Sequence, residues 1–316
     1  MVQHRYEGPG SLEFLESLVP TSLSTLEPFS SSLSVLLNDQ GGIIDDLIIS
    51  KQEDDSHWYV VTNAGRRAED LKHLEEKLSS WKGGKVDHQI LENWGLVALQ
   101  GPKAAEVLAK HTDTDFTSLT FGKSVKASVA GADCHIARGG YTGEDGFEIS
   151  IPPSDTEAVT QALLDTNPTQ LAGLAARDSL RLEAGMCLYG HDLDESTSPV
   201  EAALSWVISK NRRSQANFPG AERILRELKE GPKRRRVGLV IDGAPARGKW
   251  DFGGVLCYPF ATLADYCIFF TLQTFSRGRS NCVLGWYHTA RKYNEWYSIA
   301  FTWSKYCHGL HSEWNA

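Results

Sequence analysis

The sequence predicts an α+β fold, and three observations lead there. Short β-like runs and amphipathic helical stretches interleave through the first 248 residues without the regular strand–helix–strand rhythm of a doubly wound sheet. Two apolar runs, Ser32 to Leu37 and Ile43 to Ile49, flank Asn38-Asp39-Gln40-Gly41-Gly42, a separator with hairpin-turn chemistry. Composition changes abruptly after Gly248, so the prediction is confined to the part before it.

The elements follow in order. Gly10-Ser11 leads into Leu12-Glu13-Phe14-Leu15, a helix start with Ser11 as its expected cap. The hairpin comes next, then a strand at Trp58-Tyr59-Val60-Val61. From Arg66 to Trp81, Leu71, Leu74, Leu78 and Trp81 recur at helical spacing and make one apolar stripe. Gly95 to Leu99 reads as a strand ending at Gly101-Pro102, with Pro102 placed to open a helix through Lys110. Strands are expected at Ser124–Val129, Cys134–Arg138 and Gly146–Ile151. Ser154 is the expected cap of a helix reaching Leu164. Ala175 to Glu183 predicts a helix stopped by Gly185. Arg236 to Ile241 opens a further strand, and the run Lys233-Arg234-Arg235-Arg236 before it reads as solvated basic residues rather than an RNA-binding patch.

The 316 residues are 41% hydrophobic and 23% charged, ordinary values for a globular protein, which exclude a disordered acidic chain, a collagen-like repeat and a disulfide-dense mini-scaffold. A net charge of −8 gives no bulk electrostatic reason to bind nucleic acid. Residues 1–248 carry 26 basic and 36 acidic side chains, whereas 249–316 carry 6 and 4 together with four of the six cysteines and five of the nine tryptophans. Gly248/Lys249 is therefore the main boundary. The longest apolar stretch, Val255 to Leu272, contains Pro259 and Asp265, which argues against a membrane span. The N-terminus lacks the pattern of a signal peptide or mitochondrial leader. Cysteine spacing does not point to zinc, and Cys134 and Cys187 alone in the ordinary part fit a reducing compartment.

Three segments could carry chemistry. In Gly41-Gly42-Ile43-Ile44-Asp45-Asp46-Leu47-Ile48-Ile49, two adjacent carboxylates sit in an apolar strand. Strand alternation turns one outward and the other toward a cavity or the core, where it must be paired, hydrogen-bonded or protonated; the plainer alternative leaves both in water at the hairpin rim. In Arg138-Gly139-Gly140-Tyr141-Thr142-Gly143-Glu144-Asp145-Gly146-Phe147-Glu148-Ile149, the glycines permit a tight turn and close backbone approach to a ligand, without the ending of a P-loop. Glu148 there stands between two apolar residues, unless it is a surface residue of an ordinary hairpin. In Leu171-Ala172-Gly173-Leu174-Ala175-Ala176-Arg177-Asp178, Arg177 could grip a ligand carboxylate through its forked donors or pair with an acid nearby.

Taken together, MVQHRYEGPG, NDQGGIIDDLIIS, YVVTNAG, LVALQGPKAA, GGYTGEDGFEIS, LAGLAARDSLRLEAGMCLYGHDLDE, SPVEAALSWVISK, FPGAERI and RRRVGLVIDGAPARG resemble the aminomethyltransferase, or T-protein, family of the glycine cleavage system over about residues 1–248. The resemblance implies a folate-binding α+β body of two interleaved subdomains over 1–215 and the start of a C-terminal β-barrel over 216–248. Residues 249–316 resemble nothing in the family, so an unrelated tail is expected to replace the rest of the barrel, and a segment that the family carries ahead of Met1 is expected to be absent. The implied reaction transfers a methylene from an aminomethyl-lipoyl H-protein to tetrahydrofolate, a co-substrate, with release of ammonia and without a metal. The lipoylated H-protein is the implied partner, with neither nucleic acid nor membrane, and the mitochondrial matrix the implied location. Asp46 matches the family's catalytic aspartate, Glu148 its pterin-recognising acid and Arg177 a folate-site arginine, while Tyr59, Val61, Asn63 and Tyr141 fall in segments lining the pocket. A relative serving iron–sulfur maintenance is disfavoured, because that branch carries K-G-C-Y where this chain has Arg138-Gly139-Gly140-Tyr141. A catalytically inactive product that binds folate or H-protein stands as the alternative.

Overall fold

The computed structural model describes residues 1–239 and, beyond them, only the strand segments Ile268–Phe270, Phe275–Arg277, Ser280–Cys282, His288–Lys292 and Glu295–Ile299. The expected continuation of the barrel through 240–248 and the character of the 249–316 tail lie outside the described residues. Val237–Leu239 is a strand, and the expected continuation to Ile241 lies outside the described residues.

Two antiparallel sheets organise the described part. The first contains β1 (Val2–Glu7), β2 (Ser31–Leu37), β3 (Ile43–Lys51), β4 (His57–Thr62) and β5 (Asp87–Ile90), in the order β2-β3-β4-β1-β5. Two helices, α1 (Ser11–Leu18) and α2 (Arg67–Ser79), supply Phe14, Leu15 and Leu74 to a core shared with Tyr6, Leu47, Ile49, Trp58 and Val60 of that sheet. Because side chains alternate along a strand, Tyr59 and Val61 face away from these helices.

The second sheet contains β6 (Gly95–Gln100), β7 (Ser124–Val129), β8 (Ala132–Arg138) and β9 (Gly146–Ile151), ordered β6-β9-β8-β7. Helices α3 (Ala104–Leu108) and α4 (Thr156–Leu164) cover Phe147, Ile149 and Ile151 on one face. The other face, with Ser150 and His135, turns toward Tyr59 of the first sheet, whose ring centroid lies 4.6 Å from that of His135. Gln3 spans this junction. Its Oε1 accepts hydrogen bonds from Tyr59 Oη at 2.8 Å and from Ser150 Oγ, and its Nε2 donates to the Trp94 carbonyl at 3.0 Å. A cavity of about 940 Å³ opens along the junction, lined by Arg5, Trp58, Tyr59, Trp94, Lys126 and His135 among others.

The chain then runs through α5 (Leu174–Glu183), α6 (Lys210–Gln215) and α7 (Ala221–Glu230). Phe218, Ala221 and Ile224 share a core with Val35, Leu37 and Ile43 and so clamp the β2–β3 hairpin. The hairpin turn is held by Asn38, whose Oδ1 accepts the Gln40 and Gly42 N–H groups at 3.0 and 2.8 Å and whose Nδ2 donates to the Glu195 carbonyl at 2.9 Å. Gly41 adopts φ +75°, and a Cβ on Gly42 would fall 1.8 Å from the Glu195 carbonyl oxygen, so both glycines are required there.

Several elements differ from expectation for local reasons. Ser11 is the first helical residue of α1 and not its cap; Gly10 takes the cap position, where a Cβ would fall 2.1 Å from the Gly84 carbonyl oxygen. Ser154 likewise does not cap α4, which Asp155 precedes, and its hydroxyl bonds the Asp155 carboxylate at 2.7 Å. Helix α3 stops at Leu108 rather than Lys110, because the Lys110 and His111 amides bond the Val107 and Leu108 carbonyls three residues back. In α2 the deeply buried line is Asp70 and Leu74, with Leu78 and Trp81 only partly covered. The basic run is not simply solvated. Arg234 donates to Thr197 Oγ1 at 2.9 Å and Arg236 to the Ala202 and Gly185 carbonyls at 3.0 and 2.9 Å. Among the described residues no helix is long and apolar enough to cross a membrane.

Gly42→Ala is expected to destabilise the chain by about 1–3 kcal/mol through overpacking against Glu195. Gly65→Ala, with nothing within 4 Å of the new methyl, should be neutral or slightly stabilising. Urea unfolding midpoints compare the two.

Candidate active site

Strand β3 places its two carboxylates on opposite faces, as alternation requires. Asp45 points to the helix-covered face and is fully buried, while Asp46 is half-buried on the face that also bears Val61 and Tyr59. Neither sits in water at a hairpin rim. Asn63, just past β4, binds both. Its backbone N–H donates to Asp45 Oδ2 at 3.0 Å, and its Nδ2 donates to Asp45 Oδ1 at 3.0 Å, to Asp46 Oδ1 at 3.0 Å and to the Asp46 carbonyl at 3.1 Å.

Burial, reinforced by the neighbouring Asp45 charge, pushes the Asp46 carboxyl up to about 7. The Asn63 hydrogen bond pulls the other way but does not cancel the desolvation. Asp46 therefore exchanges its proton near neutrality, which an ordinary surface aspartate cannot do.

The surrounding groups come from the second sheet and from α5. Tyr141 lies in the glycine-rich turn after β8; its hydroxyl donates to the Cys187 carbonyl, and the Asp46 charge acts on it. Arg177, in the first turns of α5, places its guanidinium 4.7 Å from the Tyr141 ring centroid in a cation–π contact. Glu148 stands on the same face of β9 as Ser150, and burial raises its carboxyl above the ordinary range while Arg177 draws it back. The Glu148 charge also acts on Tyr59, whose phenol is shifted up mainly by burial. All seven residues singled out from the sequence thus border one region between the two sheets. Of these, the 940 Å³ cavity takes only Tyr59, so it is a separate space.

The supporting shell was not visible in the motifs. Arg138 closes the glycine-rich turn through a two-pronged pair with Asp145 at 2.9 and 2.8 Å. The glycines allow close approach within the protein, since a Cβ on Gly140 would fall 1.8 Å from Gln100 Oε1. Arg181 and Asp192, both buried, pair at 2.6 Å and tie α5 to the segment carrying Cys187. Arg66 lies over the Tyr189 ring at 4.7 Å and donates to the Ile44 carbonyl at 3.1 Å, bracing β3 from outside. Of these side-chain pairs only that of Arg66 with Tyr189 joins distant parts of the chain.

This arrangement defines a class of protein: the model of the GCVT N-terminal domain matches residues 1–212, and the chain belongs to that family. It is 48% identical over 248 residues to a Schizosaccharomyces pombe protein named probable aminomethyltransferase, mitochondrial, covering 78% of this chain and 63% of that one. To the mitochondrial aminomethyltransferase of Solanum tuberosum it is 47% identical, covering 76% of this chain and 60% of the relative. The crystal structure of glycine cleavage system aminomethyltransferase T from Bartonella henselae superposes with a TM-score of 0.68 at 38% identity, over 76% of this chain and 68% of that one. The chain spans about three-fifths of the length of the curated relatives it matches.

The raised Asp46 carboxyl has a signed consequence for stability. Its folded value, about 7, exceeds the unfolded value of 3.8, so between those limits the native state holds a proton that the unfolded chain has lost. Native stability therefore falls as pH rises through that window. Thermal midpoints of the wild type are expected to drop from pH 5 to pH 8 by more than those of Asp46→Asn, and equal slopes would contradict the assignment.

Proposed function

We propose that this chain is a tetrahydrofolate-dependent aminomethyltransferase of the glycine cleavage system, acting on the aminomethyl-lipoyl arm of the H-protein in the mitochondrial matrix. The observation that carries the reading is Asp46: a half-buried carboxyl, held by Asn63 and poised near neutrality, facing the ground between Glu148, Tyr141 and Arg177. Similarity to named mitochondrial aminomethyltransferases supports it.

In the proposed reaction a folate nitrogen attacks the aminomethyl carbon and a second nitrogen closes on the same carbon. The C–N bond to ammonia and the C–S bond to the lipoyl arm both break. Of the two protons lost from the folate nitrogens, one ends on the lipoyl thiol and one on ammonia. The carbon becomes iminium-like on the way, and a fixed carboxylate beside it orients the nucleophile and stabilises positive charge. Asp46 meets that need, and its position near neutrality lets it relay a proton as well.

Glu148 is the proposed acceptor for the adjacent N–H donors of the pterin, for which two carboxylate oxygens are the complement. Desolvation favours giving that carboxyl hydrogen-bond donors, and a pterin edge would provide them. Arg177, already oriented over Tyr141, suits an anionic or carbonyl group of the folate, while Val61 and Tyr59 supply wall. The proposed division of the chain follows the same similarity: a folate-binding body over 1–215, the first part of a barrel over 216–248, and an unrelated tail over 249–316.

Calorimetric titration of the full chain with 5-methyltetrahydrofolate tests this. Saturable binding is expected in the wild type and in Asp46→Asn, and its loss is expected in Glu148→Ala. With aminomethylated H-protein and tetrahydrofolate, Asp46→Asn should lower turnover about 10²–10³-fold, as when other charge-stabilising groups are removed. Wild-type protein that is folded and binds folate or H-protein yet shows no transfer would favour the inactive alternative.

A further inference from the structure

Below the candidate site, on the helix-covered side of β3, lies a second carboxyl group that the proposed chemistry does not use. Asp70 projects from α2 into the core one turn before Leu74, and both residues are buried. Among the described residues no backbone or charged donor bonds its carboxyl oxygens, and only the Thr62 hydroxyl comes within reach of them. The carboxyl nevertheless lies in hydrogen-bonding contact with that of Asp45, which is itself fully buried and receives two hydrogen bonds from Asn63. Two carboxyls meeting away from water cannot both be ionised, and two acceptors in contact require a proton between them.

We infer that Asp70 and Asp45 form a proton-sharing pair that positions Asn63, and through Asn63 fixes the orientation and charge of Asp46. The inference deepens the proposed function, since it rests on Asp46 being the group at which chemistry occurs. Asp70 is the member that carries the proton. It is fully buried with at most the Thr62 hydroxyl as a donor, whereas Asp45 has the two Asn63 N–H groups to stabilise its charge. Burial and the Asp45 charge push Asp70 up to about 9, in keeping with that order.

The other ionisable groups around the pair do not remove the need for the proton. Arg66 acts on Asp70, but its guanidinium is committed to the Ile44 carbonyl and to Glu195 at 2.7 Å. The buried Tyr6 hydroxyl and the Tyr189 phenol feel the pair's charge without bonding it. The Thr62 hydroxyl lies between Asp70 and His4, 3.2 Å from His4 Nε2, and one neutral hydroxyl does not replace the proton. On the Asp46 side, Asp192 is neutralised by Arg181, and Tyr141 and Cys187 remain protonated, their groups raised by burial.

The consequence is a relay of position. The Asp70 proton keeps Asp45 anionic, and anionic Asp45 fixes the Asn63 amide. That amide holds Asp46, while burial and, after it, the Asp45 charge keep the Asp46 proton exchangeable near neutrality. Losing the Asp70 donor would leave Asp45 to take up a proton itself, which removes the repulsion on Asp46. Asp70 is thus a positioning residue, touching no substrate.

Carbon-13 NMR of the full chain, labelled at the aspartate carboxyls and assigned with Asp46→Asn, tests this without requiring turnover. In the wild type the Asp46 signal should titrate near pH 7 and the Asp70 signal should stay in its protonated form to about pH 9. Asp70→Leu should move the Asp46 midpoint to lower pH by about one unit, whereas Asp70→Asn, which keeps a donor for Asp45, should restore it. Where transfer is measurable, Asp70→Leu should lower kcat about 10- to 100-fold with little change in folate KM. An unchanged Asp46 midpoint in folded Asp70→Leu, or an Asp70 signal already ionised at pH 7, overturns the inference. If Asp70→Leu does not fold, Asp45→Asn decides: its Asp46 midpoint must fall, and an unaltered value overturns the pair. Absence of folate binding in the wild type would sink the proposed function and leave these midpoints standing.

Discussion

One side-chain amide holds the site together. Asn63 bonds two consecutive carboxylates that strand geometry sends to opposite faces of β3, and so it links the hydrophobic core beneath the sheet to the open region above it. Buried polar groups are costly unless satisfied, and networks of them are correspondingly specific when they are complete. Here the cost is spread over Asp45, Asp70 and Asn63, and the Asp46 carboxyl above them is pushed up to about 7. Asn63 bonds Asp46 directly, and moving Asp45 or Asp70 acts on Asp46 through it.

The remainder of the fold serves that arrangement by restricting movement. The β2–β3 hairpin turns through glycines that fit against Glu195 and Gly220, and residues of α7 pack on its apolar side. Gln3 stitches the two sheets together beside Tyr59 and Ser150, which keeps Glu148 on β9 at a fixed depth relative to Asp46 on β3. The Arg181–Asp192 pair anchors α5, and with it Arg177, to the segment that accepts the Tyr141 hydroxyl. Breaking such a buried pair strands a charge, so the link is stiff.

Local pattern carried much of this in the sequence. The hairpin, the helix at 67–79, the three strands of 124–151 and the glycine stop at Gly185 follow from alternation, helical spacing and turn chemistry. Strand β1 did not. Its inward residues include Gln3 and His4, which are polar and buried only because Tyr59, Trp94, Thr62 and His88 bond them from elsewhere. Strand β5, Asp87–Ile90, is polar because it is the sheet edge and exposes Asp87 and Gln89, while α7 carries apolar residues at helical spacing that the element pattern above leaves out. Serine caps failed at Ser11 and Ser154 because backbone contacts at Gly10 and a neighbouring aspartate decide those helix starts. The seven candidate residues were reachable through motif resemblance, whereas Asp70 was not. An aspartate in a Leu-striped helix looks like a solvent-facing position until the partner strand is known.

A crystal structure of the full chain soaked with 5-methyltetrahydrofolate tests the central claim most directly. The account requires the pterin edge on the Glu148 carboxylate and the reacting nitrogen within about 2.6–3.2 Å of an Asp46 oxygen. Folate bound instead in the cavity beside Trp94 and His135, with Asp46 untouched, would contradict it.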